Sequence, residues 1–192
     1  MTIDEIKNVL MIKLSQKRYK HSLNVMDTAR KLAVNYGLDE NKAALAGLIH
    51  DCARDIRGND IFLMCDKFNV EVSNVCKIQP ELLHGPLGAK LAQAEYGITD
   101  ESILNAVRWH TTGHENMDLM AKVIYIADYI EPGRSFPGIE EARQLAFKNI
   151  DSAMIFSLDR TIRFVISRGS LVHLDTINAR NAILIRTTEK RN

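Results

Sequence analysis

The chain has 192 residues, with 25 Lys and Arg against 24 Asp and Glu, a formal charge of +1 when its six histidines are neutral. Hydrophobic residues make up 46% and charged residues 26%, which fits one globular domain with a sizeable core and excludes a disordered, collagenous or acidic-tail protein. Balanced charge gives no support to a general nucleic-acid or membrane-surface binder, although it says nothing about a small local anion site.

Thr2 with Glu5 three residues on forms a capping box, which starts a first helix of about three turns. A second helix is expected from near Arg18 to Tyr36, with Leu23, Met26, Ala29 and Ala33 on one face and Gly37 as its stop. Asp39 caps a third, ENKAALAGLIHDCAR, whose small residues permit close helix packing. Further helices are expected at 60–68, 87–96, 100–111, 117–130, 139–149, 151–168 and 175–188, with Asp100 and Asp151 as N-caps and Gly97 and Gly169 as stops. Strand alternation, hairpin dipeptides and internal repeats are absent from the sequence, so the expected fold is all-α, compact, with about eight to ten helices. Phe136, Ile139 and Phe164 are expected in the core.

Cys52, Cys65 and Cys76 are odd in number and form no C-x-x-C pair, so neither a disulfide framework nor a zinc knuckle is expected. The amino terminus, MTIDEIKNVL, lacks signal-peptide features, and no apolar run approaches the roughly 18 residues a membrane span needs. A cytoplasmic location without a membrane or nucleic-acid partner follows as the expectation. Oligomeric state is open at this level, a homodimer included.

The histidines carry the chemical information. His50 and Asp51 are adjacent in the apolar stretch AALAGLIHDCA, where a buried Asp is costly unless it is paired or bound to a cation. His21 lies in RYKHSLNV, Asp128 within KVIYIADYIEPGR, His84 before a Gly-Pro turn, and His110 at the helix end RWHTTG. Taken singly, each is most simply a satisfied core or capping residue. Together they form a donor set suited to a divalent metal such as iron, manganese, zinc or cobalt. His21, His50, Asp51 and Asp128 can hold one ion and leave positions open. His84 and His110 either complete a second site with Asp51 bridging or bind substrate phosphate. A dinuclear His/Asp site suits phosphoester or phosphoanhydride hydrolysis, because the ions acidify water and neutralise charge on the attacked phosphoryl group.

The order H…HD…H…H…D resembles the HD-domain metal-dependent phosphohydrolase superfamily. The wider segments RYKHSLNV, AGLIHDCAR, HGPLGAKLA, AVRWHTTG and IYIADYIEPGRSFPGIEEAR are similar to the bacterial symmetrical diadenosine tetraphosphate hydrolases of the HD type, over about residues 18–181. This resemblance implies a single HD domain over 1–192, with a motif core at about 18–134 and C-terminal helices at 139–192 completing the nucleotide pocket. It implies iron, as one ion or a pair, and hydrolysis of diadenosine tetraphosphate to two ADP, with ADP or GDP as ligands. His21, His50, Asp51 and Asp128 are then the metal ligands, and Asp51, His84 and His110 the catalytic group. Nucleotide contacts fall to Arg18, His21, Asn24, Arg54, His84, His110 and Arg134, with Thr176 and Asn181 at the nucleoside end. Leu174 departs from the proline that relatives carry there, the role of Lys20 is open, and His114 and His173 are expected in surface or capping positions. The rival readings are an HD hydrolase acting on another nucleotide, an oxygen-activating two-iron enzyme, and a non-catalytic ADP or GDP sensor.

Overall fold

A computed structural model describes residues 1–189. Among these residues there are eleven α-helices, one 3-10 turn and no strand. In chain order the helices are α1 (Ile3–Lys13), α2 (Gln16–Tyr36), α3 (Glu40–Ile49), α4 (Asn59–Lys67), α5 (Asn74–Ile78) and α6 (His84–Tyr96), with the 3-10 turn at Pro80–Leu83. They continue with α7 (Glu101–Trp109), α8 (Leu119–Ile130), α9 (Ile139–Lys148), α10 (Ile150–Ser167) and α11 (Leu174–Glu189). The all-α expectation holds, and the count exceeds eight to ten because α5 is only five residues long, too short to show a helical period. The last three residues of the span expected to form the C-terminal helices, 190–192, lie outside the described residues.

Four helices form the centre of the molecule: α2 packs on α3 and α8, and α7 packs on both α3 and α8. Small residues allow this. Ala43, Ala44, Ala46 and Gly47 are fully enclosed on α3, and a Cβ on Gly47 would stand 3.0 Å from the Met26 Cα and 3.1 Å from the Ala29 Cβ. That contact brings α3 close against α2 just before the chain reaches His50. The outer helices complete the shell, with α6 on α7, α10 on α8, and α9 and α11 on α10. No helix among the described residues is long and apolar enough to cross a membrane.

Local chemistry explains most helix ends. Thr2 and Glu5 make the reciprocal capping box, Asp39 accepts from the Asn41 and Lys42 N–H groups, and Asp100 accepts from Ser102 and Ile103. Three expectations are corrected. Asn149, rather than Asp151, caps α10 by accepting from Ser152 N–H, while Asp151 pairs with Lys122 at 2.6 Å. Helix α3 ends at Ile49 instead of running to Arg54, because the chain tightens to i−3 bonds: Cys52 N–H to Ile49 O, Arg54 N–H to Asp51 O and Ile56 N–H to Ala53 O. Phe164 is 61% exposed, and Phe136 is only partly buried, while Ile139 joins the core as expected.

Candidate metal centre and its cleft

Each of the four central helices delivers one part of the cluster. His21 projects from the second turn of α2, His50 and Asp51 stand where α3 ends, His110 where α7 ends, and Asp128 lies on α8. His84, the first residue of α6, is brought in by the turn before it. Asp51 is at the centre. Its Oδ2 lies 3.8 Å from His21 Nε2 and 3.7 Å from His50 Nε2, while its Oδ1 lies 3.1 Å from His84 Nε2 and 3.6 Å from His110 Nε2. Asp128 Oδ1 stands 2.9 Å from His21 Nε2 and 4.0 Å from His50 Nε2. The six residues expected to form the centre from the sequence are thus adjacent in space.

The spacing and the hydrogen bonds fit cations. Donor atoms sharing one divalent ion at about 2.0–2.2 Å stand roughly 3–4 Å from one another, the range these separations occupy. The Nε2 atoms of His21 and His50 are buried and make no hydrogen bond; the 2.9 Å approach of His21 to Asp128 is off the line such a bond needs. Three rings are oriented by main chain. Nδ1–H of His50 donates to Gly47 O at 2.7 Å, that of His110 to Val107 O at 2.7 Å, and that of His84 to Glu81 O. With the proton on Nδ1, each Nε2 turns a lone pair inward, the arrangement a metal ligand needs. His84 and His110 bring their Nε2 atoms within 3.0 Å of each other, with Asp51 Oδ1 and Thr111 Oγ1 beside them. Two bare nitrogens at that distance require a cation or a proton between them. Two donor groups result, His21–His50–Asp51 and Asp51–His84–His110, joined by the two oxygens of one carboxylate.

Charge reinforces this arrangement. Burial drives the His50 imidazole down to about 4 and also lowers His84, keeping both neutral and able to donate electron pairs. Burial opposes the charge of Asp51, yet the surrounding His50, His110 and His84 outweigh it and hold the carboxyl well below its usual range. For His21, burial works against the charged form and the adjacent Asp128 and Asp51 carboxylates overcome it, so the ring is raised. Arg18 Nη1 donates to Asp51 Oδ2 at 3.1 Å, and Arg134 pairs with the Asp128 carboxylate while its Nε donates to the Asp128 carbonyl at 3.0 Å.

Glu131 is a member of the site that the sequence reading missed. It is 3% exposed and accepts from Asn24 Nδ2 at 2.7 Å, from Gly133 N–H, and from His21 Nδ1 at 3.2 Å. It therefore does for His21 what backbone carbonyls do for the other three rings. Arg143 of α9 holds the segment in place by donating to the carbonyls of Ile130, Glu131 and Arg134. We expect Glu131→Gln to weaken metal binding about 10–100-fold, the usual cost of losing a carboxylate behind a ligating histidine. Titration of the metal-free variant against a competing chelator measures this, and wild-type affinity would show that Glu131 only packs.

Over the cluster lies a small cavity of about 220 Å³, lined by Arg18, Arg54, Thr111, Tyr129, Arg134 and Thr161 as well as by Asp51, His84, His110 and Asp128. Arg54, whose guanidinium also donates to Glu81 O at 3.3 Å, links it to a cavity of about 460 Å³ that contains Arg18, Arg57 and His84. Lys20 and Asn24 line a third, of about 500 Å³, beside His21 and Arg134. Tyr129, Arg134 and Thr161 open onto a fourth, of about 690 Å³. Thr176 and Asn181 line none of the four: Thr176 is buried and Asn181 is exposed on α11. His114 stacks on Trp109 with ring centroids 4.4 Å apart, and His173 Nδ1 accepts from Asp175 N–H at the start of α11, both outside the cluster.

Comparison with known proteins agrees with this geometry. The model of the HD domain family matches residues 18–133. A protein of Halalkalibacterium halodurans named symmetrical bis(5'-nucleosyl)-tetraphosphatase is 41% identical over 173 residues, which cover 90% of this chain and 91% of that protein. The Staphylococcus aureus protein of the same name is 39% identical over 184 residues, 94% of each chain. A crystal structure from Clostridium acetobutylicum, described as a predicted HD superfamily hydrolase involved in NAD metabolism, is 47% identical, covers 97% of this chain and 98% of its own, and superposes with a TM-score of 0.94.

Proposed function

This chain belongs to the HD domain family, and from that premise we propose that it hydrolyses diadenosine tetraphosphate symmetrically, releasing two ADP. The observation that carries the reading is identity of 39–41% to relatives of that activity over nearly their whole length. The cluster supports it chemically. In our reading His21, His50, Asp51 and Asp128 hold one divalent ion, and Asp51, His84 and His110 hold a second. Iron is the expected metal, with manganese, cobalt and zinc compatible with the same donors. Bound ions supply Lewis acidity, which acidifies water and offsets phosphate charge.

The chain's own residues do the rest. Asp51 ties the two donor groups together through its two oxygens, so one rigid carboxylate sets their spacing. Arg134 and Arg18 neutralise Asp128 and Asp51 and both line the cavity, where a polyphosphate would be bound. Arg54 extends that positive lining beyond the cluster. Thr111 places a hydroxyl 3.1 Å from the Nε2 atoms of His84 and His110, beside Asp51, suited to holding a phosphoryl oxygen at the reacting centre. The three thiols are free and buried, which fits a reducing, cytoplasmic setting. The test is product analysis after anaerobic purification and metal quantification. Two ADP per diadenosine tetraphosphate supports the reading, whereas ATP plus AMP, or no turnover by metal-replete protein, overturns it.

A further inference from the structure

A fifth cavity, of about 360 Å³, shares no lining residue with the four around the cluster. Its volume lies within the roughly 300–1,000 Å³ of small-ligand sites. It adjoins the metal centre through chain neighbours: Leu83 and Trp109, in its wall, lie within the stretches 81–84 and 107–110 that tether the His84 and His110 rings. Three parts of the chain build it: the segment from Glu71 to Pro86, the end of α7 with the loop after it, and the start of α11. Gly113, at φ +73°, admits the last of these, since a Cβ there would stand 2.9 Å from the Ala179 Cβ. Leu82, Leu83, Pro86 and Trp109 supply apolar wall, and His114 stacks on the indole with 7° between the ring planes.

The polar groups around this wall are unpaired. Among the described residues, Arg108 donates to Asn105 Oδ1 at 2.8 Å and meets no carboxylate, Glu71 makes no ion pair, and Asp175 has only His173 nearby, at 3.7 Å. His114 and His173 each accept a main-chain N–H at Nδ1, from Asn116 and Asp175. In the neutral rings the proton therefore sits on Nε2, a donor without a partner among the described residues. Charges of both signs thus line one small cavity without meeting each other. A molecule carrying both would join them, with its carboxylate on Arg108 and the imidazole N–H groups, its ammonium on Glu71 and Asp175, and its apolar part on Trp109. A ligand of one charge would leave the other sign without a partner. A metal ion fits less well, because among the described residues the donor atoms here do not converge as those of the two groups around Asp51 do. We propose that this cavity is a second binding site, for a small zwitterion with an apolar side chain, the chemistry of a free amino acid. Such a site would exist whatever the metal centre hydrolyses.

Trp109 is the chain's single tryptophan, so its emission reports on this cavity directly. Metal-loaded full-length protein is titrated with L-leucine and L-phenylalanine, with phenethylamine, which lacks the carboxylate, and with hydrocinnamate, which lacks the ammonium. Calorimetry repeats each titration, so that binding without a change in emission is also seen. At least one amino acid should bind saturably, and phenethylamine and hydrocinnamate should each bind about tenfold or more weakly than phenylalanine, the scale of a lost charge-assisted hydrogen bond. Arg108→Gln should remove the advantage of phenylalanine over phenethylamine, and the pair Glu71→Gln and Asp175→Asn its advantage over hydrocinnamate. Saturating pyrophosphate, a ligand for the metal cleft, should leave amino-acid affinity unchanged. No saturable binding of either amino acid, equal binding of either single-charge analogue, full affinity in all the variants, or displacement by pyrophosphate would each overturn the site.

Discussion

Asp51→Asn is expected to abolish hydrolysis, lowering kcat by about 10⁴-fold or more, the scale of losing a group that organises a whole reacting centre. Asparagine keeps the volume and one acceptor oxygen, so the packing around a residue that is 3% exposed survives. It loses the negative charge shared by four imidazoles and by Arg18. Its amide nitrogen must also face either His21 and His50 or His84 and His110, placing N–H donors where a cation needs an electron pair. Steady-state turnover and metal content measured on the same preparation check both halves. A variant retaining a tenth of wild-type turnover would remove Asp51 from the centre of the site.

Stripping the metal should cost comparably much in stability. Ions that bind only the folded chain contribute about 4 kcal/mol when present at a thousand times their dissociation constant. In a domain of this size each kcal/mol is worth about 2–4 °C, so exhaustive chelation should lower the melting temperature by roughly 10 °C. The physical source is local: without a cation, the Nε2 atoms of His84 and His110 face each other at 3.0 Å and those of His21 and His50 stay buried without partners. Helices α2, α3, α7 and α8 would lose the ion that ties their ends together. Calorimetry of chelated and reconstituted protein tests this; identical melting curves would show that the cluster holds no ion.

The six His and Asp positions of the cluster were readable because a buried charge in an apolar helical run needs a reason, and six such residues share one. Glu131 escaped for the opposite cause. It sits beside Pro132 in what reads locally as a polar turn, and its burial comes from His21 and Asn24, more than a hundred residues away in sequence. Tyr129 and Thr161 were missed likewise, since nothing in the local pattern distinguishes a ring facing a cleft from one facing the core. The end of α3 was misplaced because periodicity counts apolar residues and cannot sense a change from i−4 to i−3 bonding. Asp151 looked like a cap by type, but Asn149 stands two residues earlier and Lys122 occupies the aspartate. Local rules pointed to the His and Asp residues that cluster and to most helix ends, and failed where a distant residue decided the outcome.

The tethering of His50, His84 and His110 to the carbonyl three residues before each has a consequence for inheritance. A carbonyl oxygen is the same whatever side chain its residue bears, so substitutions at 81 or 107 leave the tether bond itself intact, whereas 47 is held to glycine by the close approach of α2. Length is what the tether cannot forgive. Inserting or deleting one residue between 47 and 50, 81 and 84, or 107 and 110 would swing a ligand away with every ligand residue retained. The turn at Asp55–Gly58, exposed over Arg57 and Gly58, can absorb such changes far more readily. Beyond the three histidines and Gly47, what these stretches must keep is the count of residues between carbonyl and ring rather than their identity.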